Sequence, residues 1–353
     1  MSKILMKGNE AIGAVAIDSG CRFYAGYPIT PQNELTEYLA KHMLVVGGVF
    51  VQAESEVSAI NMVYGAAAAG SKAMTSSSSP GISLKMEGIS YIAAAELPCV
   101  IVNVMRGGPG LGGIQPAQSD YFQATKGGGH GDYRMIVLAP ATVQETIDLT
   151  KLSFSLAEKY RIPVMILSDG LLGQMMETVD YDNTESNENI FLSGTWMANG
   201  CKGREKNHIN TLFLEPTELE ALNLRLQEKY KEISMNEQRA EEYLVSDAEI
   251  ILIAYGTVAR IAKDAVNFAR SQGIKAGLIR PITLWPFPGK LMINDILSAK
   301  ALLVVEMSAG QMVEDVRLLA DGKVAVHFYG RMGGMVPKVS EIVEKIRSIG
   351  GQM

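Results

Sequence analysis

Residues 71–106 read SKAMTSSSSPGISLKMEGISYIAAAELPCVIVNVMR, and this stretch decides the fold. "SKAMTSS" and "PCVIVNVM" are short β-rich runs bounded by polar residues, Pro or Gly, as strands are. Between them, "ISLKMEGISYIAAAEL" repeats its apolar residues at helical spacing. The same alternation extends to both sides. "CRFYAGYP", "GGVFVQAE", "MIVLAP" and "IPVMILSDG" read as further strands, with helical patterns in "NEAIGAVAIDSG", "PQNELTEYLAKHM", "EVSAINMVYGAAAAG" and "ATVQETIDLTKLSFSLAEKY". Strand and helix in alternation predict an α/β fold, a mostly parallel sheet with helices on both faces. Ligands of such sheets collect beyond the carboxyl ends of the strands.

From about Asp180 to Val245 the texture changes. "DYDNTESNENIF" is polar and loop-like, and "EPTELEALNLRLQEKYKEISMNEQRAEEYL" is a long, charge-laced helical stretch that reads as a connector rather than as sheet. A second alternation follows from Ala248. "EIILIAYG", "KAGLIRPITLWPFP", "ALLVVEMS" and "VAVHFYG" read as strands, with helices in "ARIAKDAVNFARSQG" and "QMVEDVRLLA". This predicts a second, smaller α/β domain.

The chain has 353 residues, 47% of them hydrophobic and 20% charged, enough for a large core divided between two domains. A net charge of -6 offers no general attraction for nucleic acid or an acidic membrane surface. No apolar run reaches membrane-spanning length, and the N-terminal "MSKILMKGNEA" lacks the apolar centre of a signal peptide. Cys21, Cys99 and Cys201 are widely separated and form no CxxC, which argues against a disulfide framework and against a zinc or iron–sulfur site on this chain. The expected setting is cytoplasmic.

Several residues stand where strands end. "GGPGLGG" contains G-x-G-x-x-G at residues 108–113, but Pro116 opposes the helix that a dinucleotide fingerprint needs, so the run reads as a loop lining a site. Arg106 at its mouth suits either a surface ion pair or a carboxylate clamp. Glu54 and Glu56 lie where a strand hands over to a helix; acids there favour the helix dipole, and either is also a candidate acid of a site. Ser77, Ser78 and Ser79 before Pro80 suit helix capping or contact with a polar ligand. His130 between glycines is a minor candidate. Asp169 beside Gly170 has no second ligand set at metal-binding spacing.

Taken together, "YAGYPITP", "FVQAESEVSAINMVYGAAAAG", "GISLKMEGISYIAAAELPCVIVNVMRGGPGLG", "KGGGHGDYR" and "LIRPITLWPFP" closely resemble the α subunit of 2-oxoacid:ferredoxin oxidoreductases, with the greatest likeness to the 2-oxoisovalerate (3-methyl-2-oxobutanoate) type. The resemblance runs over almost the whole chain. It implies a pyrimidine-type thiamine-diphosphate-binding domain over residues 1–180, a linker with a helical connector over 181–246, and a transketolase C-terminal-like domain over 247–353. It also implies oxidative decarboxylation of a 2-oxoacid to acyl-CoA and carbon dioxide, with coenzyme A as co-substrate and ferredoxin as electron acceptor.

The family's Gly-Asp-Gly motif for diphosphate and magnesium is missing here, as are cluster cysteines. The resemblance therefore assigns Mg2+ and [4Fe-4S] clusters to partners: a beta subunit with the diphosphate site, a gamma subunit and a ferredoxin-like subunit. On this chain it places Tyr27, Pro28 and Ile29 against the thiamine ring, Thr30 and Arg106 on the substrate, and Ser78 and Ser79 on the cofactor-facing loop. Close relatives tend to read Ser-Ser-Gly-Pro-Gly where this chain has Ser78-Ser79-Pro80-Gly81, so Ser79 departs from the pattern. The acid that pairs with the pyrimidine ring is Glu56 when counted back from Gly65, and Glu54 when matched to "VQAE"; the count within the helix favours Glu56. "EMSAGQM" and "RMGGM" read as glycine-marked turns that pack against a partner subunit, with coenzyme A contact as the other reading.

Overall fold

The computed structural model describes residues 3–181 and 194–351. Its first part runs β1 (Lys3–Lys7), α1 (Gly8–Asp18), β2 (Phe23–Gly26), α2 (Asn33–His42), β3 (Val49–Gln52), α3 (Glu56–Ala68), β4 (Ala73–Ser77) and α4 (Ser79–Ala94). It continues with β5 (Cys99–Met105), β6 (Ile136–Leu138), α5 (Val143–Tyr160), β7 (Pro163–Asp169), α6 (Gly170–Gln174) and β8 (Met176–Asp180). After α7 (Pro216–Asn236) come β9 (Ala240–Tyr243), β10 (Ile250–Ile253), α8 (Gly256–Ser271), β11 (Ala276–Pro281) and β12 (Thr283–Trp285). The chain closes with α9 (Gly289–Ser298), β13 (Ala301–Glu306), α10 (Met312–Ala320), β14 (Ala325–Gly330) and α11 (Val339–Gly350).

The larger sheet has seven strands in the order β12-β6-β7-β5-β4-β2-β3. All its pairings are parallel except β12 with β6. Its central strands, CVIVNVM and PVMILSD, are buried at every position, which is why they read as continuous apolar runs rather than alternating ones. The smaller sheet has five strands in the order β14-β13-β10-β11-β9, with only β9 antiparallel. Each strand expected from the sequence is present.

Three details depart from the expectation. The stretch read as one helical connector stops being helical at Asn236, and Ala240–Tyr243 is an edge strand of the smaller sheet. "KAGLIRPITLWPFP" is two strands in different sheets: β11 ends at Pro281, and β12 crosses back to pair with β6 of the larger sheet. Proline has no N–H to continue a ladder, so the run divides there. The N-terminal residues form β1, which pairs antiparallel with β8 as a separate two-stranded ribbon. Of "DYDNTESNENIF", residues 182–191 lie outside the described residues.

Buried polar contacts lock the two sheets together. Gln118 is fully buried, and its side-chain amide donates to the Tyr255 carbonyl (2.9 Å) while its carbonyl accepts from the Met307 amide (3.0 Å). Arg280 joins Glu145 of α5 to Glu241 of β9, each at 2.9 Å. Arg280 is buried, whereas both glutamates reach solvent, which screens these ion pairs.

Candidate active site

The carboxyl ends of β2, β4 and β5 release three loops onto one edge of the larger sheet. After Gly26 the chain runs through Tyr27-Pro28-Ile29-Thr30-Pro31, anchored by Asn9 and Gln174, whose side-chain amides donate to the Pro31 carbonyl (2.8 and 3.1 Å). Tyr27 and Pro28 are exposed, and Ile29 and Thr30 half-buried. The Thr30 hydroxyl makes no hydrogen bond among the described residues, whereas its carbonyl accepts from Arg106 Nη1 (2.9 Å). Arg106 Nη2 donates to the Leu111 carbonyl (2.9 Å), so one guanidinium ties the proline loop to the glycine loop. Its Nε is buried without a partner.

The two acids separate cleanly. Ser55 caps α3, its Oγ accepting from the Ser58 amide (3.2 Å). Glu54 is exposed and bonds to the Ser58 hydroxyl. Glu56 is 6% exposed and has no hydrogen bond to its carboxylate among the described residues. It lies across Gly81: a Cβ built there would stand 2.5 Å from Glu56 Oε1 and 2.1 Å from Ser77 Oγ. The Ser77 and Ser78 hydroxyls are buried and unpartnered. Ser78 occupies the helix-cap position of α4 but makes no side-chain cap bond.

Ser79 differs from its neighbours. Its Oγ donates to Asp120 Oδ2 (2.6 Å) and accepts from the Arg106 amide (3.0 Å), and its own amide donates to Asn103 Oδ1 (3.1 Å). Burial raises the affinity of Asp120 for its proton, opposed by hydrogen bonds from Ser79 and Asn103. Ser79 thus holds the loop together, and the free hydroxyls are those of Ser77 and Ser78. His130 is exposed and edge-on to Tyr91, ten residues along α4 from Gly81, about 15 Å at helical rise. Asp169 caps α6 through the Leu171 and Leu172 amides.

Beside Arg106 a cleft of about 560 Å³ opens between the two sheets. Ala117, Asp120, Met307, Gln311 and Met332 are among its walls. The turns in "EMSAGQM" and "RMGGM" line this cleft, and a Cβ on Gly107 would lie 3.2 Å from the Gly334 nitrogen. Sequence reasoning missed Gln118, Asp120, Asn103 and Lys85. Only Lys85 left a trace, a lysine on the same helical stripe as Ile82, Met86 and Ile89.

Residues 14–244 match the family described as pyruvate flavodoxin/ferredoxin oxidoreductase, thiamine diphosphate-binding, and residues 248–342 match core domain II of pyruvate:ferredoxin oxidoreductase. Ketoisovalerate oxidoreductase subunit VorB of Methanothermobacter marburgensis is 51% identical, the match covering 100% of this chain and 99% of the relative. The 2-oxoglutarate synthase subunit KorA of the same organism is 38% identical over 97% of each. The solved 2-oxoglutarate:ferredoxin oxidoreductase from Magnetococcus marinus, with 2-oxoglutarate, coenzyme A and succinyl-CoA bound, superposes with a TM-score of 0.89 at 30% identity, covering 98% of this chain and 65% of that one. A split-gene transketolase shares the fold at a TM-score of 0.61 and 14% identity. The chain belongs to the 2-oxoacid:ferredoxin oxidoreductase family and carries its thiamine-diphosphate-binding domain.

Proposed function

We propose that this chain supplies the substrate clamp and the pyrimidine-side acid of an oxidoreductase that converts a branched-chain 2-oxoacid, with 3-methyl-2-oxobutanoate as the type, to its acyl-CoA and carbon dioxide. The observation that carries this reading is Glu56, a buried acid without a hydrogen bond among the described residues, beside the unpartnered Ser77 and Ser78 hydroxyls. That donor set, with glycine in place of a side chain at residue 81, fits the polar edge of a planar ring. The chain lacks the family's Gly-Asp-Gly motif and cluster cysteines, and the resemblance assigns the diphosphate, Mg2+ and [4Fe-4S] clusters to partner subunits, with ferredoxin taking the electrons.

Thiamine diphosphate, when bound, supplies the carbanion-stabilising chemistry that lets a 2-oxoacid lose carbon dioxide. The residues of this chain bind and orient. Glu56 shares a proton with a ring nitrogen in a poorly solvated seam, where such sharing is effective. Arg106 takes the substrate carboxylate through its unpartnered edge, and Thr30 donates its free hydroxyl to the 2-oxo oxygen. Tyr27, Pro28 and Ile29 present the loop to the ring, Ser78 offers a hydroxyl, and Ser79 holds the loop.

Two observations favour an apolar substrate chain over 2-oxoglutarate. Arg106 is the one cation among the described residues lining the cleft, and Asp120 there would repel a second carboxylate. The relatives named for ketoisovalerate are also more similar, at 51% against 36–38% for those named for 2-oxoglutarate. All three cysteines are free thiols, consistent with the cytoplasm as the site of action. The test is Glu56→Gln in the assembled complex, where turnover should fall about 100-fold or more. Near-normal turnover would leave this chain a structural subunit.

A further inference from the structure

Residues 118–122 cross between the two sheets, and four of the five are fastened to the smaller domain. The Gln118 amide donates to the Met307 carbonyl (2.8 Å), beside the two bonds that its side chain makes to Tyr255 and Met307. Gln311 brackets the run. Its Nε2 donates to the Ser119 carbonyl (2.7 Å), and its Oε1 accepts from the Phe122 amide (2.8 Å). The Tyr121 hydroxyl donates to Asp315 Oδ2 (2.6 Å). Of the five, Asp120 turns its carboxylate the other way, onto the loops of the larger sheet.

There a single oxygen, Asp120 Oδ2, accepts from the Ser79 hydroxyl (2.6 Å) and from Asn103 Nδ2 (2.9 Å). A serine hydroxyl has one proton to give. The other acceptor within reach, the Arg106 carbonyl, stands farther off at 3.3 Å. With the proton given to Asp120, the lone pairs of Ser79 Oγ are left for the Arg106 amide, which donates to it at 3.0 Å. Asn103 closes the bracket, its Oδ1 accepting from the Ser79 amide (3.1 Å). Ser79, Asn103 and Arg106 are all buried, so water does not compete for these bonds. The bracket fixes the backbone from which the Arg106 guanidinium reaches the Thr30 and Leu111 carbonyls.

Resting on the assignment of Arg106 above, we propose that Asp120 is the positioning residue of the substrate clamp: seated on the smaller domain, it orients the Ser79 hydroxyl and through it holds the Arg106 backbone, so that the guanidinium meets a 2-oxoacid carboxylate in a set place. Displacing a binding group by about 1 Å can cost on the order of 100-fold. The role is one of geometry. An asparagine whose Oδ1 takes the place of Asp120 Oδ2 accepts both hydrogen bonds, whereas alanine accepts neither.

The test compares kcat and KM for 3-methyl-2-oxobutanoate in the assembled complex of wild type, Asp120→Ala, Asp120→Asn, Ser79→Ala and Arg106→Gln. Asp120→Ala and Ser79→Ala should each raise KM about tenfold and lower kcat less, the mark of weakened substrate binding. Thiamine diphosphate affinity, measured alongside, should stay within about twofold of wild type in Asp120→Ala. Asp120→Asn should bring KM back to within about threefold of wild type. If Arg106→Gln leaves KM unchanged, the reading of Arg106 itself fails. If Arg106→Gln raises KM while Asp120→Ala and Ser79→Ala do not, the clamp needs no such support and the proposal falls. Asparagine as damaging as alanine at residue 120 would show that charge rather than position matters, and would overturn it too. A parallel loss of thiamine diphosphate affinity in Asp120→Ala would do the same, by marking a general collapse of the loops. The clamp backbone keeps a second tie, from the Gly107 amide to the Gln115 carbonyl (2.8 Å), so Asp120→Ala is expected to fold. Should that variant fail to assemble, a wild-type KM in Ser79→Ala would still overturn the proposal.

Discussion

Two glutamates, Glu56 at the start of α3 and Glu306 at the end of β13, are buried beside helix N-termini, and they are treated in opposite ways. Glu306 at the end of β13 is 0% exposed, and its carboxylate accepts from the amides of Gln311, Met312 and Val313 (3.0–3.2 Å) and from the Ser308 hydroxyl (2.9 Å). It closes the start of α10; burial raises its affinity for a proton, and these hydrogen bonds oppose that. Glu56 begins α3, is nearly as buried, and has no hydrogen bond among the described residues. A saturated carboxylate has no lone pairs left for chemistry, and an unsaturated one at similar depth is kept in place for something that arrives later. The difference separates a structural acid from a functional one more sharply than depth does.

The contrast can be broken by paired substitutions. Glu306→Ala strands three buried amides and should lower unfolding stability by about 3–5 kcal/mol in urea titration, whereas Glu56→Ala should change it by less than about 1 kcal/mol. Equal losses would make both acids structural. Gly81→Ala comes next. The added methyl meets Glu56 and Ser77, and overpacking by about 1–3 kcal/mol should weaken coenzyme binding some 10- to 100-fold. Wild-type affinity would place the coenzyme away from this seam. Glu54→Gln should do least. Exposed and bonded only to Ser58 and its own backbone, Glu54 should alter turnover less than about threefold and stability within about 0.5 kcal/mol.

The alternation of strands and helices was legible because a parallel sheet buried on both faces leaves unbroken apolar runs, as in Cys99–Met105. Crossovers between sheets leave no such mark. Nothing in "LIRPITLW" other than its proline signals that Thr283–Trp285 joins another sheet, since both strands are equally apolar. The edge strand Ala240–Tyr243 exposes Glu241 and Glu242, one on each face, and reads like the helix before it. At the site, residue types were legible but their engagement was not. Glu54 and Glu56 stand two positions apart; the count within the helix favours Glu56, but that Glu54 is exposed and tied to Ser58 while Glu56 is buried against Gly81 shows only in the packing. Ser77, Ser78 and Ser79 look equivalent on paper, yet only Ser79 meets Asp120, 41 residues away.

Because β12 is lent by the downstream half of the chain to the edge of the upstream sheet, neither half can swing on a hinge without unzipping a ladder and withdrawing Gln118. The slot beside Arg106 is therefore of fixed gauge, more like a keyway than a jaw.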